Sequence, residues 1–152
     1  MLRPLLLLLV TSILTVFAPR PADAQAQVPD WRPPGRAMPS MPAVGGMDAG
    51  WMGAQGGWFS GIEAVSGVRA ADLRGVGEPR PGSDVAQIAR FNNGPLPVVV
   101  WSDRNGDGRA DLIEIFRQGG VIIQVIDADY DGSANVLRVY DVSGKLLREE
   151  RL

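Results

Sequence analysis

Asp103-Arg-Asn-Gly-Asp-Gly-Arg-Ala-Asp-Leu-Ile-Glu-Ile-Phe-Arg-Gln-Gly-Gly-Val-Ile-Ile-Gln-Val-Ile-Asp127 decides how this chain folds. It opens on a polar stretch dense in Asp, Asn and Gly, the residues that turns prefer. Two runs rich in β-branched residues follow, Leu112–Arg117 and Val121–Ile126, separated by Gly119-Gly120. Each run is short and suits a pleated, half-buried surface, so strand–turn–strand is predicted rather than helix. A shift of 24 residues carries Asp103 onto Asp127, Asn105 onto Asp129, Asp107 onto Asp131 and Gly108 onto Gly132. The same shift carries Asp111 onto Asn135, Phe116 onto Tyr140 and Gly120 onto Gly144. The unit read from this spacing is loop, strand, Gly turn, strand.

Downstream, Val136–Tyr140, Ser143-Gly144 and Lys145–Glu149 complete the second unit. Upstream, Val85–Phe91, the hairpin signal Asn92-Asn93-Gly94 and Leu96–Trp101 look like half of an earlier unit whose acidic loop is missing. The predicted fold is mainly β: a small antiparallel meander of about six strands over residues 84–152. Its acidic loops lie along one end and its Gly turns along the other.

Before residue 84 the character changes. Residues 58–83 are poorly defined: Ile62, Val65, Val68 and Leu73 have helical spacing, and Arg69–Arg74 is a candidate short helix, but Gly61, Gly67 and Gly75 interrupt. Glu78-Pro-Arg-Pro-Gly-Ser83 reads as a turn. Residues 25–57 are rich in Pro, Gly, Met and Ala with no period, which predicts a disordered linker. Met38, Met41, Met47 and Met52 in or near it could offer thioethers to copper(I), but no His or Cys supports such a site, so a flexible tail is the reading. Met1–Ala24 reads as a cleaved secretory leader: Arg3, then an apolar run of 13 residues over Leu5–Phe17, then Ala22-Asp23-Ala24. That run is short of the roughly 20 residues a spanning helix needs. A periplasmic or secreted location is expected, with no membrane attachment after cleavage.

The 152 residues contain no Cys and no His. There is accordingly no disulfide framework, no thiol nucleophile and no imidazole base, and a Ser-His-Asp site is excluded. Zinc and copper(II) lose their usual ligands; oxygen donors remain, and these suit calcium, magnesium or manganese. Removing Arg3, Arg20 and Asp23 with the leader leaves 13 basic and 16 acidic residues, which gives no electrostatic reason to expect nucleic acid. The paired carboxylates all sit in the loops, so no acid/base pair stands free for catalysis, and no enzyme activity is expected.

The loops themselves carry a ligand pattern. A hard divalent cation takes six to eight oxygens at about 2.3–2.6 Å. Asp103, Asn105 and Asp107 stand at positions 1, 3 and 5, and Gly108 at position 6 takes the positive φ that folds the chain back. The carbonyl of Arg109 falls at position 7, Asp111 at position 9, and Glu114 at position 12. This stretch resembles the EF-hand calcium loop. In the second loop the corresponding residues are Asp127, Asp129, Asp131, Ser133 and Asn135, but position 12 is Arg138, a cation where the bidentate ligand belongs. The phrase Asp-Arg-Asn-Gly-Asp-Gly-Arg-Ala-Asp is also similar to loops of dockerins, thrombospondin type 3 repeats and integrin-type propeller repeats. The chain from Asp103 onward most resembles exported bacterial proteins with tandem Asp-x-Asn-x-Asp-Gly β-hairpin repeats.

That resemblance implies bound Ca2+ in both loops, more weakly in the second, and a calcium-stabilised structural or interaction module with an unidentified protein or cell-surface partner. It also implies that strands run through Glu114 and Arg138, which would then pair across strands instead of binding metal. The alternative is a helical EF-hand pair acting as a calcium sensor or buffer.

Overall fold

The computed structural model describes residues 30–43, 49–55, 57–79 and 86–152. Residues 1–29, which include the predicted leader, residues 44–48, Gly56 and residues 80–85, which include most of the predicted Glu78–Ser83 turn, lie outside the described residues.

The protein is mainly β. Seven antiparallel strands form one sheet in sequence order: β1 (Arg74–Pro79), β2 (Ala86–Asn93), β3 (Leu96–Ser102), β4 (Leu112–Arg117), β5 (Gly120–Ile126), β6 (Val136–Tyr140) and β7 (Leu146–Arg151). The extra strand relative to the predicted six is β1, drawn from the segment read as a short helix running into a turn. Only Ala70–Asp72 of that segment is helical, as a single 3-10 turn. Arg74 then pairs with Asn92, and the strand is held by the ladder to β2 rather than by its own Gly-rich sequence.

Tight turns close one end of the sheet. Gly94 and Pro95 connect β2 to β3. Between β4 and β5 the two connecting residues are Gln118 and Gly119, at φ 52° and 83°, the doubly left-handed backbone that matches strand twist. Gly120 is thereby released to begin β5. At the opposite end, Asp103–Asp111 joins β3 to β4, and Asp127–Asn135 joins β5 to β6. Both acidic loops are thus strand connections. The helical EF-hand pair is overturned: the Val, Ile and Leu runs on either side pair with neighbouring strands and have no helical face to bury.

Alternation puts two apolar rows on one face. Phe91, Val99, Ile115, Ile123 and Val139 are cross-strand neighbours, as are Ala89, Trp101, Ile113, Val125 and Leu137. All ten are essentially buried. Bulges at Val98 and Ile122 turn an extra apolar side chain toward the same core. The opposite face carries Val100, Glu114, Gln124, Arg138 and Glu149 in one row.

A single sheet cannot bury its apolar face against itself. The cover comes from the segment read as a disordered linker, and over its described residues that reading is corrected. Trp31, Met38, Met41 and Met52 are buried, and Trp58, Phe59, Ile62, Val65 and Leu73 join them in the same core. Three short helical turns, α1 (Ala49–Ala54), α2 (Gly57–Ser60) and α3 (Ile62–Ser66), supply most of these side chains. Trp51 stacks on Phe91 at 5.8 Å between centroids and sits 5.4 Å from Trp101. Phe59 meets Phe91 edge-on at 4.9 Å. Composition argued against order here because Pro and Gly are costly in helices and strands; large rings and thioethers buried on a sheet offset that cost.

One contact tests this packing. A Cβ on Gly61 would stand 2.3 Å from Nε1 of Trp31 and 2.7 Å from its Cδ1. Gly61→Ala is expected to cost about 1–3 kcal/mol, typical of overpacking, read as a lower denaturation midpoint at unchanged m. An unchanged midpoint would mean that Trp31 is not seated against α3.

Candidate metal centre

In each loop the first residue is a buried carboxylate that gathers backbone N–H groups. Asp103 Oδ1 accepts from Gly106 at 2.6 Å and its Oδ2 from Gly108 at 3.0 Å. Asp127 Oδ1 accepts from Tyr130 at 2.8 Å and Asp131 at 3.3 Å, and its Oδ2 from Gly132 at 2.8 Å. Charged acceptors of this kind compensate burial and fix the turn. The Gly at position 6 has φ 85° in the first loop and 84° in the second, the left-handed backbone that the sequence pattern requires.

The remaining contacts recur with the same spacing of 24 residues. Arg109 N donates to Asp107 Oδ1, and Ser133 N to Asp131 Oδ1, both at 2.8 Å. Asp111 Oδ2 accepts from Arg104 and Asn105 N–H, while Asn135 Oδ1 accepts from Ala128 N–H. The loops also touch. Asp127 N donates to the carbonyl of Asp111 at 2.8 Å, the Arg104 guanidinium lies over the Tyr130 ring at 5.5 Å, and the Arg109 stem packs beside Gly132.

The loops differ in what their side chains bring together. Asp127, Asp129 and Asp131 each place an oxygen within 4.8 Å of the other two. Two oxygens on opposite sides of one calcium ion would be about 4.6–5.2 Å apart, so this set fits a single shared ion. Asn135 Nδ2 braces Asp129 Oδ1 at 2.7 Å. In the first loop Asn105 Nδ2 donates to Asp107 Oδ2 at 3.2 Å, so those two side chains satisfy each other. Asp111 is 1% exposed, and its Oδ1 is buried with no hydrogen-bond partner. A buried carboxylate oxygen left in that state is costly, and a cation would relieve it. Three carboxylates converge in the second loop, and one buried, unpartnered carboxylate oxygen marks the first.

Glu114 is the clear departure from the EF-hand pattern. It lies on β4, three residues and about 10 Å of strand beyond Asp111. Its Oε1 accepts from Gln124 Nε2 at 2.8 Å on the face away from the core. A helix leaving the loop would bring position 12 back to the ion; a strand carries it away. Arg138 pairs with Glu149 at 2.7 Å. Gln124 stands between Glu114 and Arg138, and its Oε1 accepts from the Tyr140 hydroxyl at 2.7 Å.

Burial, and then the neighbouring Asp129 carboxyl, push the Asp127 carboxyl above its ordinary range against the pull of the Gly132, Tyr130 and Asp131 N–H groups. A cation among the three carboxylates would act in the opposite sense.

Sequence reasoning missed Tyr130, which holds φ 63° where the first loop has Gly106 at φ 86°. An aromatic residue is unusual there; its N–H donates to the Asp127 carboxylate and its ring lies under the Arg104 guanidinium.

No family model, curated protein or solved structure matches this chain. Among the described residues no helix is long and apolar enough to cross a membrane.

Proposed function

We propose that this protein is an exported calcium-binding structural or interaction module in which calcium stabilises the 103–111 and 127–135 loops and joins β3 to β4 and β5 to β6. The observation that carries this reading is that Asp127, Asp129 and Asp131 each place an oxygen within 4.8 Å of the other two. The buried, unpartnered oxygen of Asp111 supports a second ion in the first loop. The ligands assigned are Asp103, Asn105, Asp107, the Arg109 carbonyl and Asp111 in one loop, and Asp127, Asp129, Asp131, the Ser133 carbonyl and Asn135 in the other. Calcium acts here on stability, because it binds only the folded loops. The protein has no enzymatic role in this reading: no His or Cys exists to serve as base or nucleophile, and the carboxylates are committed to the loops. Export follows from the Met1–Ala24 leader and suits modest affinity, with dissociation constants on the order of 10⁻⁴–10⁻³ M as in extracellular modules. The partner is a protein or cell surface, not nucleic acid.

Thermal unfolding in chelator and in calcium tests the reading. At ten times the dissociation constant, calcium adds about 1.4 kcal/mol, which raises the melting temperature by about 5 °C for a domain of this size. Magnesium at the same concentration is expected to shift it less, since magnesium gives up its water reluctantly. Identical melting in chelator and in 10 mM calcium, with no heat of binding, would remove the proposal.

A further inference from the structure

Residues 36–41 of the N-terminal cover run across both acidic loops as a strap. Met38 N donates to the Gly132 carbonyl at 2.9 Å, and Ala134 N to the Arg36 carbonyl at 2.6 Å. On the first loop Met41 N donates to the Gly108 carbonyl at 2.8 Å, and Ala110 N to the Pro39 carbonyl at 2.9 Å. Antiparallel bridges pair Ala37 with Ser133 and Ser40 with Arg109. The strap therefore bonds the sixth and eighth positions of each loop in the same way. The Met38 and Met41 side chains, 2% and 6% exposed, seat it in the core.

These bonds reach the ligand atoms through rigid peptide planes. A trans peptide points its C=O and N–H to opposite sides. The Ala110 N–H faces the strap, so the Arg109 carbonyl on the same peptide turns away from it, to the loop side. The Ser133 carbonyl is set in the same way by the bond from Ala134 to Arg36. One peptide earlier, the Gly108 and Gly132 carbonyls face the strap, so the N–H groups of Arg109 and Ser133 turn inward. There they hold the Asp107 and Asp131 carboxylates at 2.8 Å. A single segment thus orients the fifth-position carboxylate and the seventh-position carbonyl in both loops.

We infer that the Arg36–Met41 strap is a positioning element for cation binding in both loops, and that cation occupancy in turn holds the strap on the sheet. The inference rests on the calcium reading above and adds its regulation. Coupling between two binding events is reciprocal: whatever factor strap docking contributes to calcium affinity, calcium contributes to strap docking. A loop that has lost its ion loosens the strap, and with it the cover over the apolar face of the sheet.

Two measurements on the whole chain test this. Amide exchange by NMR is followed at Met38, Met41, Ala110 and Ala134, with Ile113 and Ile123 as sheet references. Calcium is expected to slow exchange at the four strap-linked amides at least about fivefold more than at the references. Calorimetric titration of Met38→Gln/Met41→Gln is expected to show calcium binding at least about fivefold weaker than in the unaltered chain. Should the double variant fail to fold, the exchange experiment on the unaltered chain decides. Absence of any calcium binding to the unaltered chain would overturn the calcium reading and the inference with it. Calcium binding that leaves the four amides no more protected than the references would overturn the inference alone.

Discussion

Asp127→Ala is expected to lower stability by about 3 kcal/mol in chelator and to abolish calcium binding at the second loop. Three backbone N–H groups converge on this carboxylate, and the bond from the deepest, that of Gly132, is buried. Leaving a buried donor unsatisfied costs about 1–3 kcal/mol, and a hydrogen bond to a charged acceptor contributes about 1.5–3 kcal/mol. The groups nearer the surface recover part of this from water. Urea denaturation in chelator measures the first effect, and a loss below about 1 kcal/mol would mean that the carboxylate does not organise the turn. Calorimetry measures the second effect.

The same residue has a pH signature. Its carboxyl titrates above the ordinary value of 3.8 in the folded chain, because of burial and then the Asp129 neighbour, while the unfolded chain titrates near 3.8. Between those two values the folded state holds more protons, so stability falls as pH rises through the window, and the loss is complete above the raised value. Asp72, hydrogen-bonded by the Arg69 guanidinium, and Asp141, hydrogen-bonded by the Ser143 hydroxyl, titrate below 3.8 and act in the opposite sense. The Asp127 contribution is therefore read as a difference: in chelator, Asp127→Asn is expected to lack this downward component relative to the unaltered chain. Parallel pH curves for the two proteins would show that Asp127 is not so placed.

Trp101→Ala is expected to cost about 3–5 kcal/mol, a large share of the roughly 5–15 kcal/mol that holds a domain folded. Trp101 is fully buried at the centre of the aromatic group, 5.4 Å from Trp51, 5.5 Å from Phe59 and 5.6 Å from Phe91. Two of those rings come from the N-terminal cover and one from the sheet, so the cavity would open at the joint between the two layers. Denaturant unfolding followed by circular dichroism checks the size of the loss. A cost below about 1 kcal/mol would indicate that Trp51 and Phe59 do not close over the sheet.

Much of this was legible locally. Leu112–Arg117 and Val121–Ile126 are strands because β-branched side chains suit a pleated surface, and the turns at Gly94-Pro95 and Gln118-Gly119 fall within one residue of the Asn92-Asn93-Gly94 and Gly119-Gly120 signals. The acidic loops could be placed because Asp, Gly and spacing within nine residues determine a turn without outside help. The cover could not be placed by the same means. Trp31, Met38, Met41 and Met52 have no period of 2 or 3.6, and their burial depends on a surface formed by strands far downstream. One signal was present: strands β2 to β6 have an apolar face with no helix after residue 84 to cover it, so the cover had to come from upstream.

By itself, then, the sequence determined the strand class, the meander and the positions of the two acidic loops, because hydrophobic period and turn chemistry act over a few neighbouring residues. Tertiary structure alone decided three things: that a Pro- and Met-rich segment joins the core, that Glu114 leaves the loop for the outer face, and that three carboxylates meet at Asp127. Each depends on where distant backbone comes to rest, since burial and convergence are properties of packed surfaces and no local pattern contains them.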